Sequence, residues 1–249
     1  MFWENGKQKQ AKELYQQYIP YLAEGEHIQL SATGWTKLIH NLFDDVIRKE
    51  FQMVPIRDRC WADTYQDGRR RVLSLFPIND MYATWKWGWN FAYIPRISAD
   101  RTVWCRTDKS VYTHTFEVAP EFVVSLDQGR ENVVFGRNGM NLKNNYKGFD
   151  KLVQSHLNVW ETLQGQTKEY YHNTSTYEGM LWRITEKEKE AYYNFVIPQN
   201  PLIRAFIEKY LGNTERSEKM FREILFDNDK IRDAYYEKFC KMLIGMFRA

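Results

Sequence analysis

The sequence predicts an α+β protein: an N-terminal helix packed on an antiparallel β-meander of about five strands, followed by an α-helical C-terminal portion. Three observations carry this reading. Apolar residues recur at helical spacing over 35–51, the period falls to two between residues 54 and 118, and the helical period returns from residue 149 onward. Strands joined by short connections pair antiparallel, and such a sheet needs a cover on at least one face, which the helix before it supplies. The expected organisation is a helix-plus-sheet domain over 1–165 and a helical region over 166–249.

Residues 1–25 are polar and helical in pattern, with Leu14, Tyr18 and Leu22 four apart, and Pro20 kinks or ends the segment. The core helix follows: Trp35, Leu38, Ile39, Leu42, Phe43, Val46, Ile47 and Phe51 form one apolar stripe. Next, RDRCWADTY and RRVLSLF flank Gln66-Asp67-Gly68-Arg69, and Asp-Gly supplies the positive φ angles of a tight hairpin turn. With Asp67 and Gly68 as the loop, Cys60 faces Leu75 and Ala62 faces Leu73 on an apolar side. Trp61, Asp63, Tyr65, Arg70, Val72 and Ser74 then share the other, mixed side.

The third strand places Trp85, Trp87, Trp89, Phe91 and Tyr93 on one side. Thr84, Lys86, Gly88, Asn90 and Ala92 take the other, small and polar enough to face solvent. Residues 101–107 and 111–118 form a further hairpin around Asp108-Lys109-Ser110. Over 119–147, Val123-Val124 and Val133-Val134-Phe135 read as strand ends and GRNGMN as a turn. A second amphipathic helix runs through Phe149, Leu152, Val153, His156, Leu157, Trp160 and Leu163, and the polar stretch 164–180 is the expected boundary. Beyond it, Thr185-x-x-Glu188 reads as a capping box opening a helix. Ile203, Phe206, Ile207 and Tyr210 stripe the next helix, and Met220, Phe221, Ile224 and Leu225 another. The last, through Ile231, Tyr235, Met242, Leu243 and Met246, is capped by Asp227, Asn228 or Asp229.

Composition excludes several classes. With 43% hydrophobic and 16% aromatic residues, the chain can build a core, so disorder and collagen-like structure are out. The formal net charge of +3 is too small to announce nucleic-acid binding by itself. Cys60, Cys105 and Cys240 are far apart and odd in number, which points to a reducing interior rather than a disulfide scaffold. No leader and no 18-residue apolar run is present, so the expectation is a cytoplasmic protein with no membrane partner.

Motifs for chemistry fail in turn. There is no GxxxxGK[ST], no GxGxxG between strand and helix, and no HExxH among His27, His40, His114, His156 and His172. The Asp227-x-Asp229 start of a calcium loop fails at Arg232, where Gly is needed, and at Lys238, where Glu is needed. No cofactor and no metal are therefore expected. Cys105 and His114 in one hairpin could form a nucleophile–base pair, although a buried structural Cys is the commoner use. Asp63, between Trp61 and Tyr65, could be an acid of raised pKa, although a salt bridge to a neighbouring Arg is commoner. No catalytic residue can be named, and whether the protein is an enzyme stays open.

One feature stands out. Trp85-Lys86-Trp87-Gly88-Trp89 forms an indole ladder, with Arg57, Arg59, Arg69, Arg70, Arg71, Arg96, Arg101 and Arg106 on neighbouring strands or turns. A core face is the commonest use of such a ladder. If part of it is exposed, the binding residues are Trp61, Tyr65, Arg70, Trp85, Trp87 and Trp89. The functional expectation is a non-catalytic binding or assembly protein that holds a protein partner through this aromatic, Arg-rich sheet surface or through helical faces. The alternative is a single-stranded RNA or DNA binder within a larger complex, stacking bases on exposed rings. A third reading is an enzyme with a dispersed active site. Oligomeric state is not readable from the sequence.

Overall fold

The computed structural model describes residues 13, 16–23, 28–78, 82–98, 101–119, 133–136, 139–142, 145–188, 200–226, 241, 244–245 and 247–248. After a short 3₁₀ turn at Ile19–Tyr21, which holds Pro20, come β1 (Leu22–Ala23), β2 (Ile28–Ser31) and α1 (Ala32–Phe51). The sheet region comprises β3 (Val54–Arg57), β4 (Cys60–Ala62), β5 (Arg69–Ile78), β6 (Tyr82–Phe91), β7 (Pro95–Ser98), β8 (Arg101–Trp104) and β9 (Thr115–Val118). Then follow β10 (Val133–Gly136), β11 (Gly139–Leu142), α2 (Asn145–Asn173), α3 (Tyr177–Glu188), α4 (Asn200–Tyr210) and α5 (Thr214–Phe226). The α+β class is as expected: a helix, a five-stranded antiparallel sheet in the order β3-β4-β5-β6-β9, then helices.

Local chemistry sets the bounds of α1. Ser31 Oγ accepts the Gly34 N–H (3.1 Å), and Gln52, at φ 58°, closes the helix by donating its N–H to Arg48 O (3.0 Å). Trp35, Ile39, Phe43, Ile47 and Phe51 are buried along a row with a step of four. Each such step advances about 40° round the helix. The row therefore drifts away from Val46, which is exposed rather than part of the core stripe.

The hairpin turn forms as its sequence requires: Asp67 (φ 48°) and Gly68 (φ 68°) are both left-handed, and Gln66 and Arg69 exchange backbone bonds of 2.8 and 3.0 Å. Farther from the turn the register differs by one residue from the expected one. Leu75 N–H donates to Arg59 O (2.9 Å), so Leu75 lies opposite Arg59 rather than Cys60. β4 ends at Ala62, and the irregular stretch before the Gln66–Arg69 bridge absorbs the shift.

Two other expectations are corrected. Residues 101–104 pair with 95–98 (Pro95↔Trp104, Ser98↔Arg101), while β9 joins β6, so 101–107 and 111–118 do not form a hairpin together. As expected, Val133-Val134-Phe135 is strand, within β10, and GRNGMN carries the chain from β10 into β11, which pairs back on it (Gly136↔Gly139); with β2 and β1 they make a separate four-stranded sheet (Leu30↔Met140, Leu22↔Leu30). Thr185 opens no helix; it lies inside α3 and donates to Leu181 O (2.9 Å). The expected boundary at 165/166 falls within the continuous α2. Val123-Val124, the cap at 227–229 and most of the last helical stripe lie outside the described residues.

The chain divides into two compact units, the division passing through β5, β6, β9 and α2. The first (1–63, 73–87, 117–168) is built on rings from α1, α2, β4 and β6: Trp85 meets Phe43 edge-on (5.2 Å), Trp160 (5.1 Å) and Trp61 (5.7 Å). The second (64–72, 88–116, 169–249) is tied together in part by the buried Tyr171. Its hydroxyl donates to Val72 O (2.8 Å) and receives the Gly88 N–H (3.2 Å). Gly88 is required there because a Cβ would stand 1.9 Å from Thr115 O. The side of β6 expected to face solvent is buried at Thr84, Gly88 and Asn90.

Candidate interaction surface

Five of the six residues expected to bind a partner are interior. In the first unit Trp61 donates its indole N–H to Asp44 Oδ1 (2.7 Å) and stacks on Trp85. Trp85 and Trp87 are 0% and 3% exposed. In the second, Trp89 is 7% exposed and donates to Thr174 Oγ1 (2.8 Å). Arg70 is 2% exposed, and its guanidinium gathers the carbonyls of Thr107 (3.3 Å), Asp108 (3.0 Å) and Ser110. Arg70 also lies over the ring of Tyr65, 4.6 Å from its centroid. Tyr65 is half-buried, with its hydroxyl in donating reach of Cys105 O (2.5 Å) and Asn90 Oδ1, and burial pushes its pKa up. The structure thus brings together Trp61 with Trp85 and Tyr65 with Arg70, in each case as internal bracing.

The nucleophile pair is not assembled. His114 accepts the Phe91 N–H at Nδ1 (3.1 Å) and donates from Nε2 to Ile94 O (2.7 Å), so both ring nitrogens hold backbone. Burial raises the pKa of the Cys105 thiol, away from the reactive thiolate. Among the described residues, no group of three or more His, Cys, Asp or Glu could hold a metal ion. No described helix is long and apolar enough to cross a membrane.

A surface that the sequence did not single out lies in the second unit, around the Asp67–Gly68 turn. Tyr93 and Tyr210 stack face to face, with centroids 4.0 Å apart and planes at 7°. Tyr177 lies beside Tyr210 (5.8 Å); its hydroxyl donates to Asp67 O (2.7 Å), and Tyr210 donates to Asp67 Oδ1 (3.1 Å). The turn can approach these rings because residue 68 is glycine: a Cβ there would stand 2.9 Å from Tyr93 Cδ1 and 3.0 Å from the Tyr210 oxygen. Arg69 lies over Tyr177 (4.2 Å) and Trp89 (4.9 Å) and donates to Ser175 O (2.7 Å).

Burial pushes the Tyr177 pKa up to about 12 and that of Tyr93 higher still, so both phenols stay protonated and able to donate. The outer part of the cluster is open: Tyr210 is 42% and Leu211 43% exposed. Trp182, on the α3 helix that Tyr177 begins, is 60% exposed. Tyr210 had a sequence signal, its place on the α4 stripe, but that signal read as core. The chain matches no known protein family, no curated protein and no solved structure.

Proposed function

We propose that the protein is a non-catalytic binding or assembly protein of the cytoplasm that holds a protein partner through helical faces of its second unit. The observation that supports this reading is the Tyr210–Leu211 end of α4. It is a rigid, half-exposed aromatic and aliphatic pair, backed by a stacked Tyr93 and a hydrogen-bonded Asp67. Tyr, Trp and Arg are the residue types that carry binding energy at interface centres, and a ring already fixed by stacking loses little freedom on contact. The Trp ladder, being interior, serves as a scaffold rather than as the contact surface.

The test is to recover tagged protein from its own host at low salt, identify what accompanies it, and titrate that partner against wild type and Tyr210→Ala/Leu211→Ser. Loss of a hot spot worth about 2 kcal/mol weakens binding about thirtyfold, which is the expected result. A partner that binds the variant as tightly as wild type, or a protein recovered alone, overturns the reading. A raised 260/280 nm ratio that falls on a high-salt wash would instead establish the nucleic-acid alternative, because phosphate contacts release counterions.

A further inference from the structure

We infer that Arg59 and Thr36, in the first unit, form a binding site for the carboxylate or phosphate group of a small molecule. Arg59 is a half-buried guanidinium lying 4.1 Å over the Trp35 ring. Its Nη1 donates to Thr36 Oγ1 (2.5 Å), and its buried Nε–H has no hydrogen-bond partner. Buried charges in proteins are normally paired, and a buried donor without an acceptor requires a reason. Among the described residues no carboxylate lies within ion-pair distance of Arg59. Asp58, its chain neighbour, acts on it only through space, and burial draws the guanidinium's pKa down.

The surroundings fix this arrangement rather than relieve it. Arg59 holds a left-handed backbone (φ 50°), uncommon for a side chain of this size, and is anchored on both sides. Its N–H donates to His40 Nε2 (3.3 Å), and its carbonyl accepts from Leu75 N–H (2.9 Å). His40 in turn donates from Nδ1 to Asp44 Oδ1 (2.8 Å), the same oxygen that accepts the Trp61 indole N–H. This chain assigns the roles. His40 is a positioning residue with both ring nitrogens engaged, and the Asp44 oxygen is held away from Arg59 by two donors. An oxyanion on the Nε edge of the guanidinium would meet Nε–H and Nη2–H, a fork matched to two oxygens of one carboxylate or phosphate, while Thr36, on Nη1, holds the plane of that fork.

The experiment follows the Arg59 Nε–H and Trp35 indole resonances by two-dimensional ¹H–¹⁵N NMR during separate titrations with acetate, inorganic phosphate and chloride at constant ionic strength. The expected result is a saturable shift of the Arg59 signal with acetate or phosphate and none with chloride, and whichever saturates at lower concentration identifies the anion class. Replacing the fork, Arg59→Lys, is expected to weaken binding about tenfold, and Thr36→Val about fivefold. Thr36→Val keeps the test open if Arg59→Lys does not fold. Shifts that are linear, that match those with chloride, or that persist unchanged in Thr36→Val overturn the proposal.

Discussion

Acidification below about pH 6.5 is expected to destabilise the protein through His156. This side chain, on α2, is 0% exposed, accepts the Trp35 indole N–H at Nε2 (3.1 Å), and lies against the Trp35 and Phe43 rings (6.2 and 6.4 Å). Its Nδ1 is buried with no hydrogen-bond partner, so nothing is placed to stabilise an imidazolium, and burial holds its pKa down to about 3 from 6.5. Above the unfolded value both states are neutral and His156 contributes no pH dependence. Between the two values the unfolded chain binds a proton that the folded one refuses, so stability falls by about 1.4 kcal/mol per pH unit. The loss is about 3 kcal/mol at roughly pH 4.5 and reaches its limit, about 5 kcal/mol, near pH 3. That is comparable with the whole stability of an ordinary domain. Urea unfolding across this range should be run on wild type and on His156→Gln, whose amide oxygen can still accept from Trp35 but does not titrate. Wild type should lose stability faster than the variant by the stated slope. Parallel curves between pH 6.5 and 4.5 would refute the reasoning.

Three further predictions follow from packing and hydrogen bonding. Gly88→Ala places a methyl 1.9 Å from Thr115 O, against backbone that cannot swing away, and should cost at least about 3 kcal/mol by thermal or urea unfolding. Arg70→Met removes the bonds to the carbonyls of Thr107, Asp108 and Ser110 while keeping an unbranched stem. It should cost about 2–4 kcal/mol and speed hydrogen exchange at the Ser110 amide, which now donates to Thr107 O (2.9 Å). Ser31→Ala removes the acceptor for Gly34 N–H at the start of α1 and should lower stability by about 1 kcal/mol, with Ser31→Asp recovering most of it.

What was legible in the sequence is what local chemistry decides. The α1 stripe, the Asp67–Gly68 turn and the stripes of α4 and α5 depend on residues within a turn or two of each other, and each lies where the periodicity places it. Strand partners depend on distant chain. Pro95–Ser98 has no local mark showing that it, and not 111–118, pairs with Arg101–Trp104, and β2 finds β11 across more than 100 residues. Exposure was misread on β6 for a related reason. Thr84 and Asn90 look like solvent-facing residues, yet Thr84 donates to Ala119 O (3.2 Å) and Asn90 to Tyr112 O (2.6 Å), and satisfied polar groups can be buried. Arg70 is the extreme case, a charge internalised because three carbonyls from a loop nearly 40 residues away receive it. The Tyr93–Tyr177–Tyr210 cluster joins residues spread over more than 110 positions, and no spacing in the sequence marks it.

The pairing of β2 (Ile28–Ser31) with β11 (Gly139–Leu142) also sets an order of events in folding. Every strand of the five-stranded sheet lies in the loop that this ladder closes. Its closure entropy must be met before any of its hydrogen bonds form, so the local hairpins are expected to precede it. During synthesis at about 5–20 residues per second, β2 waits roughly 5–20 s for its partner to be made. Throughout that interval one edge of β2 is unpaired and open to other chains. A nascent chain halted before residue 139 should therefore be cut readily near Ile28–Ser31, and one released after residue 142 should resist.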